Sequence, residues 1–295
     1  MPLRDFLLSI IQLADKSVIN HLLSEDLSAV SLINQGMTNR NFLINTNNHR
    51  YVVRVPGNGT NTFIDREHEW ENYQLMSGLE ISIGEIYYNK DTSLRITPYI
   101  EDTFNASPID KNKIAVISRL LKKVHRAAVL LPGNFRWVEK LHSYEATAQA
   151  NRIILPSSYY QLKENVMPLA SFIYETREPL CPCHNDPVPE NFIGDPTGTC
   201  YLIDWEYGGM NVPSWDLAAV VLEYNLTPEQ TLQLLSTYYQ DASIPSDAMK
   251  RIIICGIYQD LLWYLWAMIM SAHGKDYCEY GNERFRRAAV NAGRI

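Results

Sequence analysis

Hydrophobic and polar positions change rhythm once along this chain, near residue 98. A stretch with helical spacing (residues 3–24) comes first. The runs Val30-Ser-Leu-Ile-Asn, Phe42-Leu-Ile-Asn-Thr and Tyr51-Val-Val-Arg-Val follow, rich in β-formers and separated by Gly and Asn turn signals, which predicts three strands. Asn47-Asn48-His49-Arg50 reads as the turn between the second and third. Residues 66–76 return to helical spacing with Trp70, Tyr73 and Met76 along one side. Tyr87-Tyr88 and the run 94–97 predict two more strands. Beyond Pro98, residues 111–126, 144–154, 159–175, 214–223, 228–239 and 248–272 carry helical periodicity, interrupted by one β-rich segment at 191–204. No internal repeat or low-complexity tract occurs. The pattern predicts an α+β chain with a mixed unit at 1–98 and a larger, mainly helical one at 99–295, joined by a short connection at 97–101.

Composition narrows the picture. The 295 residues suffice for two modest cores, and 46% apolar with 20% charged residues is ordinary for a globular protein. A net charge of -7 argues against nucleic acid as a partner. An anionic nucleotide stays possible, because a metal ion and one or two cations reverse the field locally. The start, Met-Pro-Leu-Arg-Asp-Phe-Leu-Leu, reads as an amphipathic helix and not as a signal peptide. The most apolar stretch, 252–270, holds Gln259 and Asp260 at its middle, so it reads as a buried helix with a polar duty and not as a membrane span. Five cysteines, an odd number, suggest a reducing compartment, and the expected location is cytoplasmic. Cys181-Pro182-Cys183 lacks a second pair for zinc and reads as inert thiols. Oligomeric state is not legible.

Candidate chemistry concentrates in 184–204. In His184-Asn185-Asp186-Pro187-Val188-Pro189-Glu190-Asn191, two prolines exclude a regular helix. Phe192-Ile193, a turn at 194–198 and a strand to Ile203 form a hairpin, which returns Asp204 beside Asn191. Two oxygen ligands at one open end suit Mg²⁺, and Asp186 is placed to accept a hydroxyl proton. An Asp base with an Asn and a second Asp on metal is the arrangement protein kinases use for phosphoryl transfer. His184 reads as a brace for the loop.

This segment, with Leu202-Ile-Asp-Trp-Glu-Tyr207, resembles the choline/ethanolamine kinase and aminoglycoside phosphotransferase superfamily, nearest to bacterial choline kinases of the phosphocholine decoration pathway. The resemblance spans nearly the whole chain. It implies a two-lobed protein-kinase-like fold, with an antiparallel sheet and a helix in the small N-terminal lobe. It implies Asp186 as catalytic base, Asn191 and Asp204 on Mg²⁺, and ATP as donor. Pro187 departs from the family, which has leucine or another ordinary residue there. No Gly-x4-Gly-Lys-[Ser/Thr] and no Gly-x-Gly-x-x-Gly is present. Gln35-Gly36-Met37-Thr38-Asn39-Arg40-Asn41 resembles the family's phosphate-covering loop, with Gly36, Thr38, Asn39 and Asn41 as donors. Arg54 stands in place of the strand lysine, Glu69 matches the carboxylate that orients it, and Tyr99 and Ile100 would offer backbone groups to adenine.

For the acceptor, Trp263 and Trp266 lie three apart on a helix, where side chains are neighbours. Aromatic faces attract quaternary ammonium ions, Trp best of all. The pair resembles the family's choline pocket, and Tyr280 and Glu223 match positions used near the ammonium. Asp260 is read as facing that pocket, capping a buried network or being paired. Asp216 is expected to hydrogen-bond the catalytic loop or cap its own helix. Arg284, Arg286 and Arg287 read as a solvated helix face. The expected activity is that of an ATP-dependent choline kinase. The alternatives are an ethanolamine, thiamine or aminoglycoside kinase, or a silent kinase-like binding protein.

Overall fold

The computed structural model describes Asp5 and residues 27–35, 39–57, 63–105, 107–175, 178–240 and 242–295. Apart from Asp5, the predicted helix at 3–24 lies outside them, as do Gly36, Met37 and Thr38. The strands are β1 (Leu27–Gln35), β2 (Asn39–Thr46), β3 (Arg50–Pro56), β4 (Tyr87–Tyr88), β5 (Arg95–Pro98), β6 (Cys181–Cys183), β7 (Phe192–Gly194), β8 (Cys200–Leu202) and β9 (Gly209–Asn211). The helices are α1 (Arg66–Gly78), α2 (Lys111–His125), α3 (Trp137–Ala150), α4 (Ser157–Glu175), α5 (Pro213–Glu223), α6 (Pro228–Tyr238), α7 (Ala248–Ala272) and α8 (Cys278–Ala292).

Contacts divide the chain into two units, and the division is not linear. The first comprises Met1–Pro108 with Glu190–Tyr207, the second Ile109–Pro189 with Gly208–Ile295. The first unit is built on an antiparallel sheet of order β1-β2-β3-β5-β4. Thr46 closes the β2–β3 turn, its hydroxyl donating to the His49 carbonyl at 2.9 Å. Strand alternation sends Phe42, Ile44, Tyr51, Val53, Val55 and Ile96 into one core with Leu94. It leaves Asn41, Arg54 and Arg95 in register on the other face. Asp65 caps α1 by accepting from the Glu67 and His68 amides.

The hairpin β7–β8 is held in this unit by backbone bonds. The Leu202 amide donates to the Ile81 carbonyl (2.9 Å) and the Thr103 amide to the Gly194 carbonyl (2.8 Å). Asn105 donates to the Phe192 carbonyl at 2.8 Å. The linear reading with a boundary after 98 differs here, because no hydrophobic periodicity signals that a hairpin far along the chain bonds to residues 81 and 103.

The second unit is mainly helical. The helix predicted at 144–154 begins earlier, at Trp137, whose ring packs against Trp215 and Tyr258. It stops by Asn151, with Ile154 almost fully exposed, so that isoleucine extended the pattern without belonging to the core. The pair β6–β9 was not foreseen, since three-residue strands, one containing Pro182, show no period. The apolar helix α7 is buried within this unit along most of its length.

Candidate active site

In the first unit, Arg54 and Arg95 are directly opposite on neighbouring strands, a repulsive placement unless a carboxylate lies between them. Glu69, one turn into α1, supplies it. Its Oε1 bonds Arg54 Nη1 and lies 3.2 Å from Arg95 Nη2, and its Oε2 accepts from Arg66 at 2.6 Å. Although burial alone raises a carboxylate, Arg54, Arg95 and Arg66 hold Glu69 down to about 2. The other side of the Arg54 guanidinium faces the hairpin end, with Nη2 2.7 Å from Glu206 and 2.9 Å from Asp204 Oδ1. Burial works against the Arg54 cation, but Asp204, Glu69 and Glu206 outweigh it and push its pKa up. Burial and then Asp204 lift Glu206 to about 8, against Arg54. Asn39 donates to Glu206 at 3.2 Å, and Asn41 stands across from Arg54 in the ladder.

The Ile203 amide donates to the Asn191 carbonyl at 2.9 Å, so Asn191 and Asp204 flank the open end of the hairpin as expected. Asp204 adopts a left-handed backbone (φ 67°), uncommon outside glycine. Its buried Oδ1 receives no aligned hydrogen, and the carboxylate oxygens of Glu69, Asp204 and Glu206 lie within 4.8 Å of one another. A crowded set of hard oxygen donors with an unsatisfied lone pair fits a small divalent cation. The Tyr99 amide donates to the Arg50 carbonyl at 2.9 Å, so of its backbone groups the carbonyl is the one a base could use.

In the second unit, the loop carrying Asp186 is fastened from behind by Asp216, which is fully buried. It accepts from the His184 amide (Oδ2, 2.8 Å), the Asn185 amide (Oδ1, 2.8 Å) and His125 Nε2 (3.1 Å). Of the two duties expected for Asp216, the geometry selects the loop. Asn185 also adopts a left-handed backbone (φ 68°), with its side chain accepting from Asn211 at 2.8 Å and its carbonyl from the Trp215 indole at 3.2 Å. His184 is buried within this network. Behind Pro187 the Val188 amide donates back to the Asp186 carbonyl at 2.8 Å, so proline is accommodated in a tight turn. Cys181 and Cys183 are free and buried, their sulfurs 3.7 Å apart, and burial pushes the Cys183 thiol up.

Trp263 and Trp266 meet edge to face at 6.1 Å on α7. Trp266 is packed by Tyr277 at 5.1 Å and by Tyr280 at 6.5 Å from the α8 end. Burial, and to a lesser degree Glu223 and Asp186, raise the Tyr280 phenol against the opposing pull of Arg284. The arginines of α8 are not a solvated face. Arg284 is buried and forks onto Glu223 (Nη1–Oε1 2.5 Å, Nη2–Oε2 2.9 Å), while Arg287 binds Asp260 through Nε (2.8 Å) and Nη2 (2.5 Å). Only Arg286 of the three is exposed. The physical reason is the carboxylate inside α7, since a fully buried Asp260 requires cationic partners. Tyr277 and Glu206 were given no role from the sequence, and Arg284 was read only as part of a solvated face. The spacing Tyr277-x2-Tyr280-x3-Arg284, one helical stripe, was the available signal.

A model of the choline/ethanolamine kinase family matches residues 30–243. The chain belongs to that family. It is 27% identical over 266 residues to Protein LicA of Haemophilus influenzae, covering 86% of this chain and 77% of that one. The crystal structure of choline kinase LicA from Streptococcus pneumoniae is 32% identical with a TM-score of 0.86, covering 98% of this chain and all (100%) of the other. A spectinomycin phosphotransferase in complex with ADP and spectinomycin shares the fold at a TM-score of 0.58 and 12% identity, over 93% of each chain. The expected kinase-like α+β fold and superfamily therefore hold, and the family member is an ATP-dependent phosphotransferase with an alcohol acceptor.

Proposed function

We propose that this family member transfers the γ-phosphoryl group of ATP to the hydroxyl of choline, giving phosphocholine and ADP. One observation carries the choice of acceptor: the Trp263–Trp266 pair, extended by Tyr277 and Tyr280, in the same unit as Asp186. A quaternary ammonium has no N–H to satisfy and is well served by aromatic faces, whereas a polyamine such as an aminoglycoside needs free acidic groups.

Asp186 accepts the hydroxyl proton and orients the attacking oxygen, and Asp216 keeps its loop in place through the His184 and Asn185 amides. Arg54, aligned by Glu69, meets the nucleotide phosphates with a permanently charged guanidinium. By the family resemblance Gly36, Thr38, Asn39 and Asn41 would cover them, and Tyr99 and Ile100 would serve the adenine. Asn191 and Asp204 would hold Mg²⁺, which when bound neutralises charge on the phosphates. The titratable neighbour Glu206 holds the Arg54 guanidinium from the side opposite Glu69.

A coupled ADP-release assay with choline, ethanolamine and thiamine tests this reading. Turnover is expected with choline, and Asp186→Asn is expected to lower kcat by about 10²–10⁴-fold with nucleotide binding retained. Turnover with thiamine or ethanolamine and none with choline overturns the acceptor. Undiminished kcat in Asp186→Asn overturns the base.

A further inference from the structure

Where α5, α7 and α8 converge, two carboxylates and two guanidiniums form a closed set beside the aromatic cage. Glu223 ends α5, Asp260 lies mid-way along α7, and Arg284 and Arg287 stand three apart on α8. Each Glu223 oxygen receives its own Arg284 nitrogen, at 2.5 and 2.9 Å. Arg287 Nη2 stands 3.8 Å from Glu223 Oε1 as well. The remaining capacity of Arg284 goes to Asp260 Oδ1 (3.3 Å) and the Tyr280 hydroxyl (2.7 Å), and its guanidinium carbon lies 4.8 Å from the Tyr280 ring centroid. Both Asp260 oxygens are bound by Arg287.

The consequence concerns what the cage can offer a ligand. Tyr280 is a cage wall, and the Arg284 nitrogen that binds its hydroxyl also binds Glu223, so this carboxylate reaches the edge of the cage. Its charge attracts any ammonium, but the Arg284 guanidinium offsets that charge and already takes one lone pair on each oxygen, so what is left is a weakened acceptor. A primary ammonium carries three N–H donors and loses their hydration on entry unless acceptors replace it. A quaternary ammonium loses no donor and is stabilised by ring faces alone.

We propose that Arg284 is the specificity-determining residue of the acceptor site: by forking onto both oxygens of Glu223 it offsets the charge and weakens the acceptor that a primary ammonium needs, and so favours quaternary over primary amino alcohols. Arg284 is a positioning residue, acting on the acceptor through Glu223 and Tyr280. The inference rests on the cage being the acceptor site.

The test is the ratio of kcat/KM for choline to that for ethanolamine, measured on the full-length enzyme. In Arg284→Met, Glu223 loses both forked bonds and keeps only the longer approach of Arg287 (3.8 Å), and the ratio is expected to fall by about tenfold or more, the scale of one hydrogen bond to a charged group. In the double variant Arg284→Met/Glu223→Gln no carboxylate is freed, and the ratio is expected to return toward that of the wild type. Arg284→Lys keeps the charge but cannot fork, so it is expected to lower the ratio less than Arg284→Met, and it serves if the methionine variant does not fold. An unchanged ratio, with both substrates losing kcat/KM together, overturns the proposal and makes Arg284 purely structural. A ratio that stays low in the double variant overturns it too. A wild-type enzyme that does not turn over choline refutes the acceptor reading instead, so the two failures are distinguishable.

Discussion

Glu69 condenses the electrostatics of the arginine cluster in the first unit into one carboxylate. It is 1% exposed and is bound by three arginines, Arg54, Arg66 and Arg95. Its folded pKa of about 2 lies below the unfolded value near 4.5, so its stabilisation is fully present above pH ~4.5 and is lost as pH falls through about 2. The displacement corresponds to ~3 kcal/mol, and breaking a buried pair by removing one partner costs a similar amount. Glu69→Gln is therefore expected to lower unfolding stability by about 3 kcal/mol at pH 7. In urea titrations the gap to the wild type should close as pH is lowered from 5 toward 2, and a gap independent of pH would contradict the ion-pair account. The Arg54–Glu69 partnership was legible through the family resemblance. The participation of Arg95, Arg66 and Glu206 was not, because it depends on β3–β5 register and on the hairpin return, which leave no local trace.

At the scale of elements, the proposed acceptor cage depends on how closely α8 approaches α7. Gly281 permits that approach: a Cβ there would stand 2.7 Å from Met268 Cε and 2.9 Å from Ala267 Cβ. The methionine tip can move aside, but the alanine Cβ is fixed to its helix. Alanine would gain ~1 kcal/mol of helix propensity against this clash, whereas valine adds bulk without that gain. Gly281→Val is expected to cost about 1–3 kcal/mol of stability by overpacking and to raise the choline KM, because Tyr277 at the N-cap of α8 and Tyr280 in its first turn would shift from Trp266. Thermal denaturation and steady-state kinetics would show both effects. The Trp263–Trp266 pair could be read from helical spacing. The inward turn of Arg284 and Arg287 could not be read from their own basic neighbourhood, although Asp260 inside an apolar helix implied that some cation had to reach it.

Across the whole molecule, the first unit is discontinuous in sequence. Residues 81, 103 and 105 use hairpin residues 192, 194 and 202 as hydrogen-bond partners, so a fragment ending at 108 leaves those groups without them. Residues 1–108 alone are expected to show no cooperative urea transition by circular dichroism. The same fragment joined to 190–207 through a flexible Gly/Ser linker is expected to recover one. Equal cooperativity in both would show that the hairpin is dispensable. Sequence pattern conveyed the change from sheet to helix near residue 98, since periodicity is a local property. Which unit owns the hairpin is a matter of partners, and partners are not local.

That discontinuity also has a temporal side. On a ribosome, the five sheet strands emerge well before the hairpin that carries Asn191 and Asp204. At ~5–20 residues per second, synthesis of 109–189 takes on the order of ten seconds. During that interval the first unit lacks its hairpin, so Arg54 and Glu69 have no Asp204 or Glu206 to meet, and the unit completes its fold only after residues 109–189 have appeared. Slow codons placed before the hairpin would lengthen this waiting period, and a chaperone that shields half-finished sheets would find its client there.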